Sequence, residues 1–92
     1  MKIAFNSMKS NKNEQDRGLA FDRAIDFEWE TALYSEDTRR TYPEQRFVSI
    51  GYLDKRLHVL CFTPIAGGIR VISFRKANLR EVKRYEKESI NK

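Results

Sequence analysis

Arg46, Arg70 and Arg75 each lie in or beside an apolar, β-branched segment, with Glu44 close to the first and Lys76 directly after the last. An arginine fork offers paired donors that match a phosphate. Arginines that converge can therefore stabilise the phosphorane-like charge that develops when a 2′-hydroxyl attacks the adjacent RNA phosphate. The same reaction benefits from a base and an acid, for which Glu44, Lys76 and Tyr85 are the candidates, none with the spacing of a triad. The lone histidine, His58, stands mid-strand among apolar neighbours and reads as a satisfied strand residue rather than a catalyst. Cys61, the single cysteine, makes no internal disulfide and reads as a buried, inert thiol. Glycine-rich phosphate loops, zinc-ligand spacings and Ser-His-Asp arrangements are absent from the sequence, which excludes the common nucleotide-binding and metalloenzyme classes and gives no cofactor to expect.

The segments that must position these side chains are three predicted strands. Residues 46–53 carry apolar groups on both faces, as in the centre of a sheet covered on one side. Asp54-Lys55 is a tight reversal into residues 57–63, and residues 64–68, Pro-Ile-Ala-Gly-Gly, turn the chain back along 69–75. If Leu53 faces Arg56, then Arg46 lies opposite Thr63 and shares a sheet face with Val48, Ile50, Val59 and Cys61. Pairing Thr63 with Ile69 sets Arg75 on that face. A slip of one residue instead sets Arg70 beside Arg46 and sends Arg75 to the other side. The flexible Gly67-Gly68 pair leaves both registers open, and the three arginines share a face only if a bulge intervenes.

Around this hairpin unit the pattern is mixed. Residues 2–5 suggest a short edge strand. Residues 7–18 are polar without an apolar face and read as a helix capped by Ser7 or Ser10 and stopped at Gly18, or else as a solvated connector. Phe21, Ala24, Ile25 and Phe27 form a stripe at helical spacing, which predicts an amphipathic helix over 19–27. Residues 29–35 read as a strand and 37–43 as a loop. A final helix begins at Asn78, with Glu81 three residues on in a capping-box arrangement. Its buried side is Leu79, Val82 and Tyr85, which leaves Arg80, Lys83, Arg84 and Lys87 as a basic outer face, either solvated or in contact with nucleic acid or an acidic partner. The expected fold class is α+β: one small domain over residues 1–92, with an antiparallel sheet of about four strands, two N-terminal helices and a C-terminal helix.

Eighteen Lys and Arg against thirteen Asp and Glu give a formal charge of +5, which favours an acidic partner, nucleic acid or protein. The first residues lack the apolar run of a signal peptide, and no stretch is long and apolar enough to span a membrane, so a cytoplasmic protein without membrane association is expected.

The order and spacing of several fragments resemble the BrnT toxins of bacterial type II toxin-antitoxin modules. They begin with Phe5, then Lys9 and Asn13 with Gly18 in a Lys-x-x-x-Asn-x-x-x-x-Gly pattern, then Phe21 and Ala24. They continue through Asp37, Arg39, Tyr42, Glu44, Arg46 and Ile50-Gly51. They close with Ile69-Arg70-Val71-Ile72-Ser73, Arg75-Lys76-Ala77 and Arg84-Tyr85-Glu86. The resemblance implies a RelE-like antiparallel sheet and a metal-independent endoribonuclease that inhibits translation and growth. It also implies inhibition by a BrnA-type antitoxin with a ribbon-helix-helix DNA-binding part, operator DNA being reached only through that complex. Carried over by position, the family's arginine-rich functional set falls on Arg46, Arg70, Arg75 and Lys76, with Glu44 nearby, and Lys9, Arg70, Arg80 and Arg84 are the candidates for RNA contact. Family members usually carry a histidine before the glycine that ends the first helix. Arg17 stands there in this chain, so a degenerate, non-catalytic module that binds antitoxin or nucleic acid is the alternative reading.

Overall fold

The computed structural model describes residues 1–90. Five strands form one mixed sheet: β1 (Lys2–Ala4), β2 (Leu33–Glu36), β3 (Phe47–Leu53), β4 (Arg56–Ile65) and β5 (Gly68–Lys76), in the order β1-β5-β4-β3-β2. The expected antiparallel sheet of four strands is thus a five-stranded sheet in which β1 runs parallel to β5. That pairing depends on close backbone approach at Gly68, where a Cβ would sit 1.9 Å from the Lys2 carbonyl oxygen.

The predicted meander is present and somewhat longer than expected. Leu53 faces Arg56 across a turn in which Asp54 and Lys55 both adopt positive φ, at 51° and 65°, as a two-residue hairpin of this hand requires. Pro64 belongs to β4 rather than to the second turn, which is confined to Ala66 and Gly67. Between β4 and β5 the register shifts: Cys61 faces Ser73 but Phe62 faces Val71, so Ile72 is an extra residue in β5. Side chains alternate along a strand, and Arg70 and Arg75 are an odd number of residues apart. A regular strand would therefore put them on opposite faces, and the bulge at Ile72 puts them on the same one.

The sheet has apolar groups on both sides. On one face Phe62, Leu60, Phe74, Val71, Ile69 and Leu53 pack with Leu19, Phe21, Ala24 and Phe27. These last residues come from a 3-10 helix, Phe21–Asp26, and its flanks, where an amphipathic α-helix over 19–27 was expected. The tighter 3-10 geometry changes which residues share a side. Phe21, Ala24 and Phe27, three apart, are buried, and Ile25 is turned out to 52% exposure. Ahead of it, α1 (Ser7–Arg17) is capped by Asn6 rather than by Ser7 or Ser10 and ends at Gly18 in the left-handed conformation. This helix has no apolar stripe and is held by polar contacts. Ser10 Oγ accepts from the Phe21 amide at 2.9 Å, and Asn13 Nδ2 donates to the carbonyls of Leu19 and Phe74, each at 2.8 Å.

On the opposite face α2 (Leu79–Ile90) covers only the β2–β3 side and the adjoining end of β4, through Tyr85 and Val82 against Ile50, Leu57, Val59 and Tyr52. Sheet cover on one side was expected; a second, smaller core fills part of the other. Leu79, expected in the buried stripe, is 69% exposed, because as the first helical residue it precedes the turn that touches the sheet. The capping box is as predicted: Asn78 Oδ1 accepts from the Glu81 amide at 2.9 Å, and Glu81 Oε1 accepts from the Asn78 amide at 2.8 Å.

Candidate functional site

The half of the α2 face that the helix leaves open is the end of the sheet carrying Arg46, Thr63 and Arg70. Thr63 pairs directly with Arg70, and the β3–β4 register, continued by one residue, sets Arg46 on the other side of Thr63. Arg46 Nε, Thr63 Oγ1 and Arg70 Nε are all buried without a hydrogen-bond partner, and Thr63 as a whole is 2% exposed. Buried polar atoms are normally satisfied, because an orphaned group costs about 1–3 kcal/mol. Three such atoms lie in one row, from Arg46 beside β3 through Thr63 in β4 to Arg70 in β5.

Residues 37–46 form the rim of this surface, organised by one carboxylate. Asp37 accepts from Arg39 Nε and Nη2, each at 2.9 Å, from the Arg39 amide at 3.2 Å and from Tyr42 Oη at 3.2 Å. Its own amide donates to the Arg46 carbonyl at 2.7 Å. The Arg39 guanidinium holds the Asp37 carboxyl well below the usual carboxylate range. This clamp brings the Tyr42 ring under Arg46, whose guanidinium carbon lies 4.2 Å from the ring centre, and presents Glu44 to Arg70 Nη2 at 3.1 Å. Glu44, Arg46 and Arg70 are therefore brought together.

Arg75 shares the face further along β5 but has a partner of its own. Its two terminal nitrogens donate to Glu81 at 2.8 and 2.9 Å, a bidentate pair that raises the Arg75 pKa and lowers that of Glu81. Cys61 and Ser73 lie between the two arginines of β5 on this face, and burial pushes the half-buried Cys61 thiol up, in keeping with an inert role. Arg80 and Arg84 are exposed on α2, and Arg84 lies beside Leu33, Tyr34, Val48 and Ile50.

Three candidates lie elsewhere. Lys76, paired with His58, projects to the opposite side of the sheet from Arg46, because it follows Arg75 in a regular stretch of strand. Lys9 is exposed on α1, the helix packed on that opposite side. Tyr85 is buried and donates its hydroxyl proton to the Thr31 carbonyl at 3.0 Å, which takes it out of acid-base work. The expected setting of Arg46 opposite Thr63 continues the β3–β4 register, whereas sequence reasoning missed the unpartnered Thr63 hydroxyl and the clamp of Asp37 with Tyr42. The spacing Asp37, Arg39, Tyr42 carries that clamp and is a local signal, whereas the orphaned Thr63 hydroxyl has none.

The described residues thus form a small basic α+β fold with Arg46, Arg70 and Arg75 on one face of the sheet. A family model described as the ribonuclease toxin BrnT of type II toxin-antitoxin systems matches residues 5–81, and the chain belongs to that family. Neither a curated protein nor a solved structure matches it.

Proposed function

We propose that this chain is the toxin of a type II module, a metal-independent endoribonuclease that blocks translation by cleaving RNA in the cytoplasm. The observation that carries the reading is the row Arg46–Thr63–Arg70, in which two part-exposed guanidinium groups flank Thr63 on one sheet face and can offer their terminal nitrogens to a phosphodiester. Arg46 and Arg70 hold the scissile phosphate. Arg70, drawn to it, releases Glu44 to take the 2′-hydroxyl proton. The 2′-oxygen then forms its bond to phosphorus and the bond to the 5′-oxygen breaks, leaving a 2′,3′-cyclic phosphate and a 5′-hydroxyl that takes its proton from solvent. Arg75, Arg80 and Arg84 guide the flanking backbone. The fold is read as RelE-like, and the inhibitor as a BrnA-like antitoxin with a ribbon-helix-helix domain that carries the pair to operator DNA.

Purified protein incubated with RNA tests this. Fragments with cyclic-phosphate ends are expected from the wild type and not from Arg46→Ala, and intact RNA with the wild type would sink the reading. One observation favours a second reading, a non-catalytic module that binds antitoxin or RNA: Arg70 and Arg75 are both already ion-paired with carboxylates. That reading predicts RNA or antitoxin binding by the wild type without cleavage.

A further inference from the structure

A second basic region lies at the other end of the molecule. The last residue of α1, the 3-10 helix, the β3–β4 turn and the strands β4 and β5 border a half-open cavity of about 470 Å³ lined by Arg17, Arg23, Asp54, Arg56, His58 and Lys76. Its volume falls within the range of small-ligand sites. Asp54 is the only carboxylate among these residues, and it accepts from Arg23 Nη2 at 2.9 and 3.0 Å. Arg17, Arg56 and Lys76 have no carboxylate partner among the described residues. The carbonyl end of α1 opposes them with only about half a charge.

His58 gives this cavity a polarity the arginine row lacks. It is 5% exposed, and its Nδ1 lies 2.8 Å from the Arg56 carbonyl, which can only accept, so the Nδ1 proton is fixed there. Nε2 is consequently the unprotonated nitrogen, an acceptor on a wall of cations. Burial is the largest influence and lowers the His58 pKa; the hydrogen bond to the Arg56 carbonyl, next in size, opposes it, the Lys76 and Arg56 charges add to the lowering, and Asp54 opposes it.

We propose that this cavity is a binding site for a phosphate ester that bears a neighbouring hydroxyl, as a ribonucleotide does, with Arg17, Arg56 and Lys76 holding the phosphate and His58 Nε2 accepting from the hydroxyl. It lies across the sheet from the arginine row and stands whether or not that row cleaves RNA. Because His58 is the only histidine, one imidazole NMR signal reports on the site. The full chain is titrated with uridine 3′-monophosphate, inorganic phosphate and uridine, ionic strength being held with chloride. Saturable movement of the His58 signal is expected with the nucleotide, weaker movement with inorganic phosphate, and none with uridine. Lys76→Ala should weaken nucleotide binding by about tenfold or more, as loss of one charge-assisted contact implies, and Lys76→Arg should restore it. Arg46→Ala should leave it unchanged, even where that variant has lost RNA cleavage. A His58 signal that fails to saturate, or affinity equal in wild type and Lys76→Ala, would overturn the proposal.

Discussion

The arginine row and the histidine cavity are both basic, yet their charges are handled in opposite ways. On the open face, Arg70 and Arg75 each have a carboxylate, Glu44 and Glu81, and the strain of the site lies in orphaned polar atoms beneath the charges. In the cavity His58 is tied to its own strand, and Arg17, Arg56 and Lys76 have no carboxylate partner among the described residues, whereas Arg23 has Asp54. Under the proposed function a phosphate on the face draws Arg70 from Glu44, whereas in the proposed cavity site Arg17, Arg56 and Lys76 have no carboxylate to leave. The first arrangement suits a step in which a base is released on binding, the second suits retention.

The largest way to disturb this contrast is through the core between the two regions. Phe74, 1% exposed, packs edge-on against Phe27 and the His58 ring, at 6.1 and 5.7 Å. Phe74→Ala is expected to cost about 3–5 kcal/mol in denaturant unfolding and to blunt the His58 response. On the face itself, Arg46→Ala should lower RNA cleavage about 10²–10³-fold, the size of one lost transition-state donor, while the melting temperature changes little. Glu81→Ala removes both the capping box and the Arg75 partner, so stability should fall by about 1 kcal/mol while RNA affinity rises as Arg75 is freed. An unchanged affinity would show that Arg75 serves only to hold α2.

The cavity also predicts a pH dependence. The folded-state pKa of His58 lies below its ordinary 6.5, so the folded protein resists protonation more than the unfolded chain does. This contribution to stability is fully present above pH 6.5 and is lost as pH falls toward the lowered folded value. Melting curves of the wild type should therefore drop across that acidic window, and those of His58→Gln should drop less.

What could be read from the sequence was what is local. The Asp54-Lys55 reversal, the Asn78–Glu81 capping box and the Gly18 stop each involve residues a few positions apart, and each is in place. The placement of Arg70 with Arg46 depended on how the second turn registers β5 on β4, and that of Arg75 on the bulge at Ile72, which leaves no mark in an apolar run such as Arg-Val-Ile-Ser-Phe. Lys76 joins the arginines through the family resemblance, carried over by position, but as the neighbour of Arg75 in a regular stretch of strand it faces the other way. The cavity gathers Arg17 from the end of α1, Arg56 and His58 from β4 and Lys76 from the end of β5, three places of which only the i, i+2 pair in β4 is joined by a spacing rule.

The parallel docking of β1 has a kinetic consequence. Strands β3, β4 and β5 are joined by short turns and can zip as a meander, but β1 pairs with residues more than sixty positions away, and its Lys2 amide reaches the Gly67 carbonyl at 2.9 Å. Closing so long a loop is slow, so β1 should join the sheet after the meander is complete. Arg70 pairs with Thr63 inside the meander, so the arginine row is assembled before Lys2–Ala4 arrives, and what β1 closes last is the outer edge of β5, whose backbone groups stay open to pairing until then.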